Sequence, residues 1–258
     1  MSAEIITIVC ARGIGEGLGV PTTLSLVTDP LPKNRFRVVH LNHRSEYGPI
    51  PNPLGQAYIR TREEAISLAM GEISRAPGRF VLAGYSAGAD SMGDLADRIG
   101  RAVHGPLLDA KRRMVGVALI ADPKNPRRDL RQQQWGVAGN RLIHTAAPVF
   151  RANDPADMIP FCDADSPLRT FADQTDGFSL TDLVGWGLGM ATKIRLQQFQ
   201  QIGVDWRNRE AVRDLYTRAS QQFNGYRTGD HTSYHRRIEP GTRKTYVANM
   251  TEKIASLA

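Results

Sequence analysis

Two cysteines in 258 residues are too few for a disulfide framework. Cys10 lies in an apolar run and Cys162 follows another, so both are expected as reduced, buried thiols. No stretch approaches the roughly 20 consecutive apolar residues of a membrane-spanning helix, which leaves no candidate span. The chain enters a strand-like segment, "EIITIVC", without the basic, apolar and small-residue zones of a secretory signal, so synthesis in the cytoplasm is expected. No Pro, Ser or Gly linker, internal repeat or low-complexity tract divides the sequence, and one domain over 1–258 is expected. Nor does any DNA- or RNA-binding motif accompany the net charge of +7. The basic residues are mostly Arg interleaved with acids, densest in "KNPRRDLRQ" (124–132) and "YHRRIEPGTRK" (234–244). They read as a solvated surface, with adsorption to a negatively charged envelope as the alternative and no nucleic-acid partner.

What is present is alternation. Apolar runs at 4–11, 35–41, 79–84, 113–121 and 146–152 read as strands, and helical patterns between them imply βαβ units and a mostly parallel sheet. Segment 56–76 reads as a long helix whose apolar face is Ile59, Ile66, Leu68 and Met70. Beyond residue 157 the pattern turns helical, over 178–203 and 208–223, and the chain closes on a helix over 245–258. The stretch at about 178–223 is expected as a lid-like helical insertion.

The stretch "RFVLAGYSAGADSMGDLADRI" (79–99) places Ser86 between Gly84 and Gly88, after a buried strand and before the helical spacing of Met92, Leu95 and Ile99. That is the strand-turn-helix context of the G-x-S-x-G nucleophile elbow, in which the serine stands strained and exposed above a sheet. In folds built on this elbow an acid follows after a later strand and a histidine near the C-terminus. Strand 146–152 runs into "NDPADMIPFCDAD", where Asp157 is the chosen acid and Asp154 its nearest rival. Asp122, in "LIADP", is another, and either rival also suits a turn or helix cap. Among the six histidines His231, in "GDHTSYH", stands on a loop between the helical segment and the closing helix and is the expected base. A His231–His235 metal pair is the alternative reading, but no third ligand has suitable spacing, so no metal or other cofactor is expected. The oxyanion would take backbone N–H groups from Ala87, after the nucleophile, and from Ile14 in the Gly-rich turn "CARGIGEGLG". That turn lacks the further glycine and lysine of a phosphate-binding loop.

These residues resemble the cutinase-like serine esterases, and most closely the lysin B endolysins of mycobacteriophages. The carriers are "CARGIGEG" against A-R-G-x-x-E, "GYSAG", "ADPKNPRRD" followed by "GVAGN", "ADMIPFC", and "HTSY" against H-x-x-Y. The resemblance implies an α/β-hydrolase fold and a catalytic Ser86, Asp157 and His231 acting on the ester that joins mycolic acids to arabinogalactan. It also implies delivery from the host cytoplasm to the envelope once a holin opens the membrane. Two features depart from secreted cutinases: Ile14 stands where those enzymes carry a Ser or Thr hydroxyl, and the signal peptide and disulfides are missing. Leu183, Trp186 and Met190, in the apolar part of the helical insertion, are candidates for holding the acyl chain, core packing being the plainer account. A monomer is expected, with peripheral contact to a lipid surface as a further possibility.

Overall fold

The structure is a computed structural model that describes residues 5–258 apart from 77, 130 and 201. Its elements in chain order are β1 (Ile6–Ala11), α1 (Thr23–Thr28), β2 (Phe36–His40), α2 (Tyr58–Arg75), β3 (Phe80–Tyr85), α3 (Ala87–Gly100), α4 (Gly105–Arg113) and β4 (Met114–Ile120). There follow β5 (Gln134–Trp135), β6 (Val149–Ala152), β7 (Cys162–Asp163), α5 (Pro167–Thr175), α6 (Leu183–Arg195), α7 (Arg209–Arg227) and α8 (Tyr246–Ala255).

Every residue of β1 and of β3 is buried, as continuous apolar runs require when both faces of a parallel sheet are covered. The two strands pair in parallel, with Val9 opposite Leu82, at the centre of a five-stranded sheet ordered β2-β1-β3-β4-β6. All of its pairings are parallel. Successive side chains alternate between the faces. Ile6, Ile8 and Cys10 of β1 join Leu24 and Val27 of α1 and Tyr246, Met250 and Ile254 of α8 in one core layer. Val9 and Ala11 join Ile66 and Ile73 of α2, Met92, Leu95 and Ile99 of α3 and Ala110 of α4 in the other. After β1 the chain builds β2 on one side and then returns to build β3 on the other. The carboxyl ends of β1 and β3 therefore diverge at a topological switch point, the place where sheets of this kind leave a crevice.

All five expected strands form, the last only over Val149–Ala152, while residue 4 of the first lies outside the described residues. The face of α2 differs from the expectation. Tyr58, Thr61, Ala65, Ile66, Ala69 and Ile73 are its buried residues, whereas Ile59 and Leu68 are 42% and 38% exposed. Leu68 lies two residues from Ile66, about 200° around the helix, and so turns toward solvent. The helix expected over 178–203 is confined to α6: the Asp182 side chain caps it by accepting from the N–H of Gly185, and Gln197 just beyond it takes a left-handed φ of 53°. Residue 201 of that stretch lies outside the described residues. The helix expected over 208–223 extends to Arg227, started by the Asn208 side chain, which accepts from Glu210 and Ala211. Both cysteines are free and buried. Among the described residues no helix is long and apolar enough to cross a membrane.

Candidate active site

Ser86 directly follows β3 and caps α3 with φ 55° and ψ −119°, a conformation that costs a non-glycine residue on the order of 1–3 kcal/mol. The backbone is held there by close packing. A Cβ on Gly88 would lie 1.8 Å from the carbonyl oxygen of Ala11, and one on Gly84 would lie 2.3 Å from that of Gly88. Glycine at both positions lets α3 press against β1 and β3, and the amide of Ser86 donates to Ile120 O at 2.9 Å. The serine side chain makes no cap bond to its own helix. It points instead to His231, whose Nε2 lies 2.8 Å from Oγ.

The other ring nitrogen of His231, Nδ1, lies 2.7 Å from Oδ2 of Asp157. Asp157 is fully buried, and its Oδ1 accepts from the amide of Ile159 at 3.0 Å. The buried phenol of Tyr234 donates to Oδ2 at 2.8 Å, the same oxygen that meets the imidazole. These donors fix the carboxylate in place, and its contact with Nδ1 suits a His231 tautomer with a proton on Nδ1 and a lone pair on Nε2 facing the serine. The imidazole is also fixed from its faces. Tyr85 stacks on one side with ring centroids 5.2 Å apart and donates its hydroxyl to His231 O at 2.7 Å. Tyr226 of α7 also packs on the ring, at 5.1 Å.

The rival acids have other partners. Asp154 forms an ion pair with Arg237 at 2.8 Å and closes a turn onto the amide of Ala156. Asp122, fully buried, binds Arg141 at 2.8 Å and also Arg151, and accepts from the amide of Lys124. Both thus serve as turn carboxylates tied to arginines. His235 is exposed, and among the described residues no cluster of three metal-ligating side chains exists.

The turn after β1 comes up beside the serine: a Cβ on Gly13 would lie 3.2 Å from Cβ of Ser86. Glu16 organises this turn, its carboxylate accepting from the amides of Gly13 and Thr23, both at 2.9 Å. Arg12 braces it from below by donating to Glu16 O at 2.7 Å, Leu41 O at 2.8 Å and His43 O. The amide of Gly15 donates to Ser45 O and that of Glu16 to Gly13 O. Among the described residues the amides of Ile14 and of Ala87, the first residue of α3, have no such partner. Two unpaired donors at the end of β1 and the start of a helix suit a developing negative charge. Arg12, Glu16, Tyr226 and Tyr234 carry roles that sequence reasoning left unassigned, although "CARGIGEG" and "HTSY" contain three of them.

Leu183, Trp186 and Met190 lie on α6, none of whose described residues is buried. Leu183 is 53% exposed, while Trp186 packs edge-on against Phe178 and donates from its indole to Gln174 O at 2.9 Å. The ties of α6 run to the segment before it and to Arg60 of α2, which meets Asp182 at 2.7 Å.

In fold, the chain is similar to lysin B from Mycobacteriophage D29, with a TM-score of 0.55 and 14% identity over 98% of each chain. The chain has the α/β-hydrolase fold. The catalytic core domain of acetyl xylan esterase from Trichoderma reesei is also similar, with a TM-score of 0.45 and 16% identity over 75% of this chain and 95% of that one. No known family profile matches the sequence, and no curated protein is similar to it in sequence.

Proposed function

We propose that the protein is a serine hydrolase of carboxylic esters. The observation that carries this reading is the continuous relay from Ser86 Oγ through His231 to Asp157, with bonds of 2.8 and 2.7 Å. In this mechanism Ser86 Oγ attacks the ester carbonyl as its proton passes to His231 Nε2. The tetrahedral oxyanion is held by the amides of Ile14 and Ala87, each such donor being worth about 3–4 kcal/mol of transition-state stabilisation. Collapse expels the alcohol, which takes the proton from Nε2 and leaves an acyl-serine. Water then attacks that acyl group with His231 as base, releasing the acid and restoring Ser86.

The substrate favoured by this reading is the ester between mycolic acid and arabinogalactan. The fold likeness to a mycobacteriophage lysin B and the exposed aliphatic residues of α6 support it. The test is release of free mycolic acids from delipidated mycobacterial cell wall, with Ser86→Ala as control. Release by the wild type alone is the expected result. Cleavage of short nitrophenyl esters without such release moves the substrate to shorter acyl esters of the cutinase or lipase kind. Failure of a fluorophosphonate to label Ser86 in folded protein removes the esterase reading and leaves an envelope-binding protein on a hydrolase scaffold.

A further inference from the structure

Helix α7 is a polar helix with three large aromatic side chains left in solvent. Leu215 and Ala219 form its buried stripe, whereas Tyr216, Phe223 and Tyr226 are 50%, 49% and 37% exposed. Tyr216 and Phe223 are seven residues apart, two turns or about 10.5 Å along the same side of the helix. Phe223 stacks on Tyr226 with ring centroids 6.4 Å apart and planes inclined by 24°. Tyr226 in turn packs on the imidazole of His231 at 5.1 Å. A row of aromatic faces thus leads outward from the histidine along α7.

Its place beside His231 bears on what it meets. In acyl transfer the histidine hands its proton to the departing alcohol, so groups packed around the imidazole lie toward the alcohol part of an ester. The surroundings bear on the chemistry. Exposed aliphatic side chains, suited to an acyl chain, are on α6 at Leu183, Leu188 and Ile194. On α7 the flat rings have the exposed Arg227, four residues on from Phe223, and Asn224 beside them. A sugar has an apolar C–H face that stacks on an aromatic ring and a rim of hydroxyls that amide and guanidinium groups can bind.

We infer that Tyr226, Phe223 and Tyr216 form an alcohol-side subsite that takes a carbohydrate chain extending away from the ester. The inference rests on the esterase reading of Ser86 and adds a location to it. The variants are Phe223→Ala and the double variant Tyr216→Ala/Phe223→Ala, with circular dichroism to establish folding; Tyr226 is left intact because it touches the histidine. Arabinohexaose, a linear furanose oligomer, is titrated into the Ser86→Ala protein with and without the aromatic changes, and anionic phosphatidylglycerol vesicles are sedimented with the same proteins. The expected result is saturable arabinohexaose binding, weakened at least tenfold by the double change, with vesicle binding unaltered by it. In otherwise wild-type protein, kcat/KM should fall at least tenfold more for an arabinose-oligomer ester than for nitrophenyl butyrate. Unaltered oligosaccharide affinity in the folded double variant, or no binding before the change, overturns the inference. So does loss of vesicle binding in its place, which would make the row a lipid contact. Absence of nitrophenyl butyrate hydrolysis by the wild type strikes the esterase reading separately, since the titration needs no turnover.

Discussion

Helices α3 and α6 have similar lengths and opposite circumstances. α3 buries all but three of its fourteen residues against the sheet, and its first turn contains the fully buried Asp90. Burial pushes the Asp90 carboxyl up, but Lys124, Arg141 and Arg62 outweigh it and hold it at about 2. The phenol of Tyr58 donates to the same carboxylate at 2.7 Å. α6 buries no described residue and is held by a cap, an indole hydrogen bond and a few ion pairs. Ser86 and Ala87 are thus attached to elements that cannot shift without breaking the core, while Asp157 and His231 stand on buried loops beside them. The segment proposed to meet substrate is attached by contacts of small individual worth.

The sharpest way to break this comparison is at the acid. Asp157→Asn is expected to lower ester hydrolysis about 10⁴-fold by disturbing the imidazole tautomer, while Asp154→Asn, three residues away, stays within about tenfold. Steady-state rates on nitrophenyl butyrate decide it; equal losses would mean that the Asp157 contact is not what orients His231. Next come the glycines. Gly88→Ala drives a Cβ to 1.8 Å from Ala11 O and is expected to cost more than about 4 kcal/mol or to prevent folding. Gly187→Ala in α6 meets nothing within 4 Å and should stabilise by about 0.5–1 kcal/mol. Denaturant melts of both variants give the contrast directly.

A smaller effect concerns acid. Burial, and then the Arg12 guanidinium, lower the His43 imidazole from 6.5 to about 4. The unfolded chain therefore binds this proton more tightly. The stability present above about pH 6.5 drains as the pH falls toward 4, by an amount on the order of 3 kcal/mol. Because Arg12 links His43 O to the turn that carries Ile14, this acid sensitivity belongs to the carboxyl end of the sheet, beside Ser86. His43→Gln should flatten the dependence of melting temperature on pH between 6.5 and 4; an unchanged slope would place its origin elsewhere.

The elbow was legible in the sequence because three signals coincide there: a continuous apolar strand, two glycines flanking a serine, and helical spacing afterwards. Its glycines serve close backbone approach, which a sequence can signal only by glycine itself. The choice of Asp157 over Asp154 was not legible on local grounds, since both are turn-forming aspartates in one loop. What separates them is distant in sequence: Arg237 engages one, Tyr234 and His231 the other. Glu16 escaped notice because it acts on backbone amides. Of the apolar face expected for α2, Ile66 is buried, but Ile59 and Leu68, large residues, turn outward while Ala65, Ala69 and Thr61 face the core. In the tight space beneath a sheet, small side chains fill the face that hydrophobicity alone would assign to large ones.

The hydrogen bonds of the relay join residues 145 and 74 positions apart in the chain. Closing loops of that size is costly before the sheet between them exists, and contacts of such separation form slowly. A chain emerging from the ribosome carries Ser86 long before it carries His231, so no partial product holds the assembled Ser86–His231–Asp157 contacts. On the proposed function, labelling of Ser86 by a fluorophosphonate should count finished molecules, and its time course during refolding from denaturant should lag the recovery of helical signal.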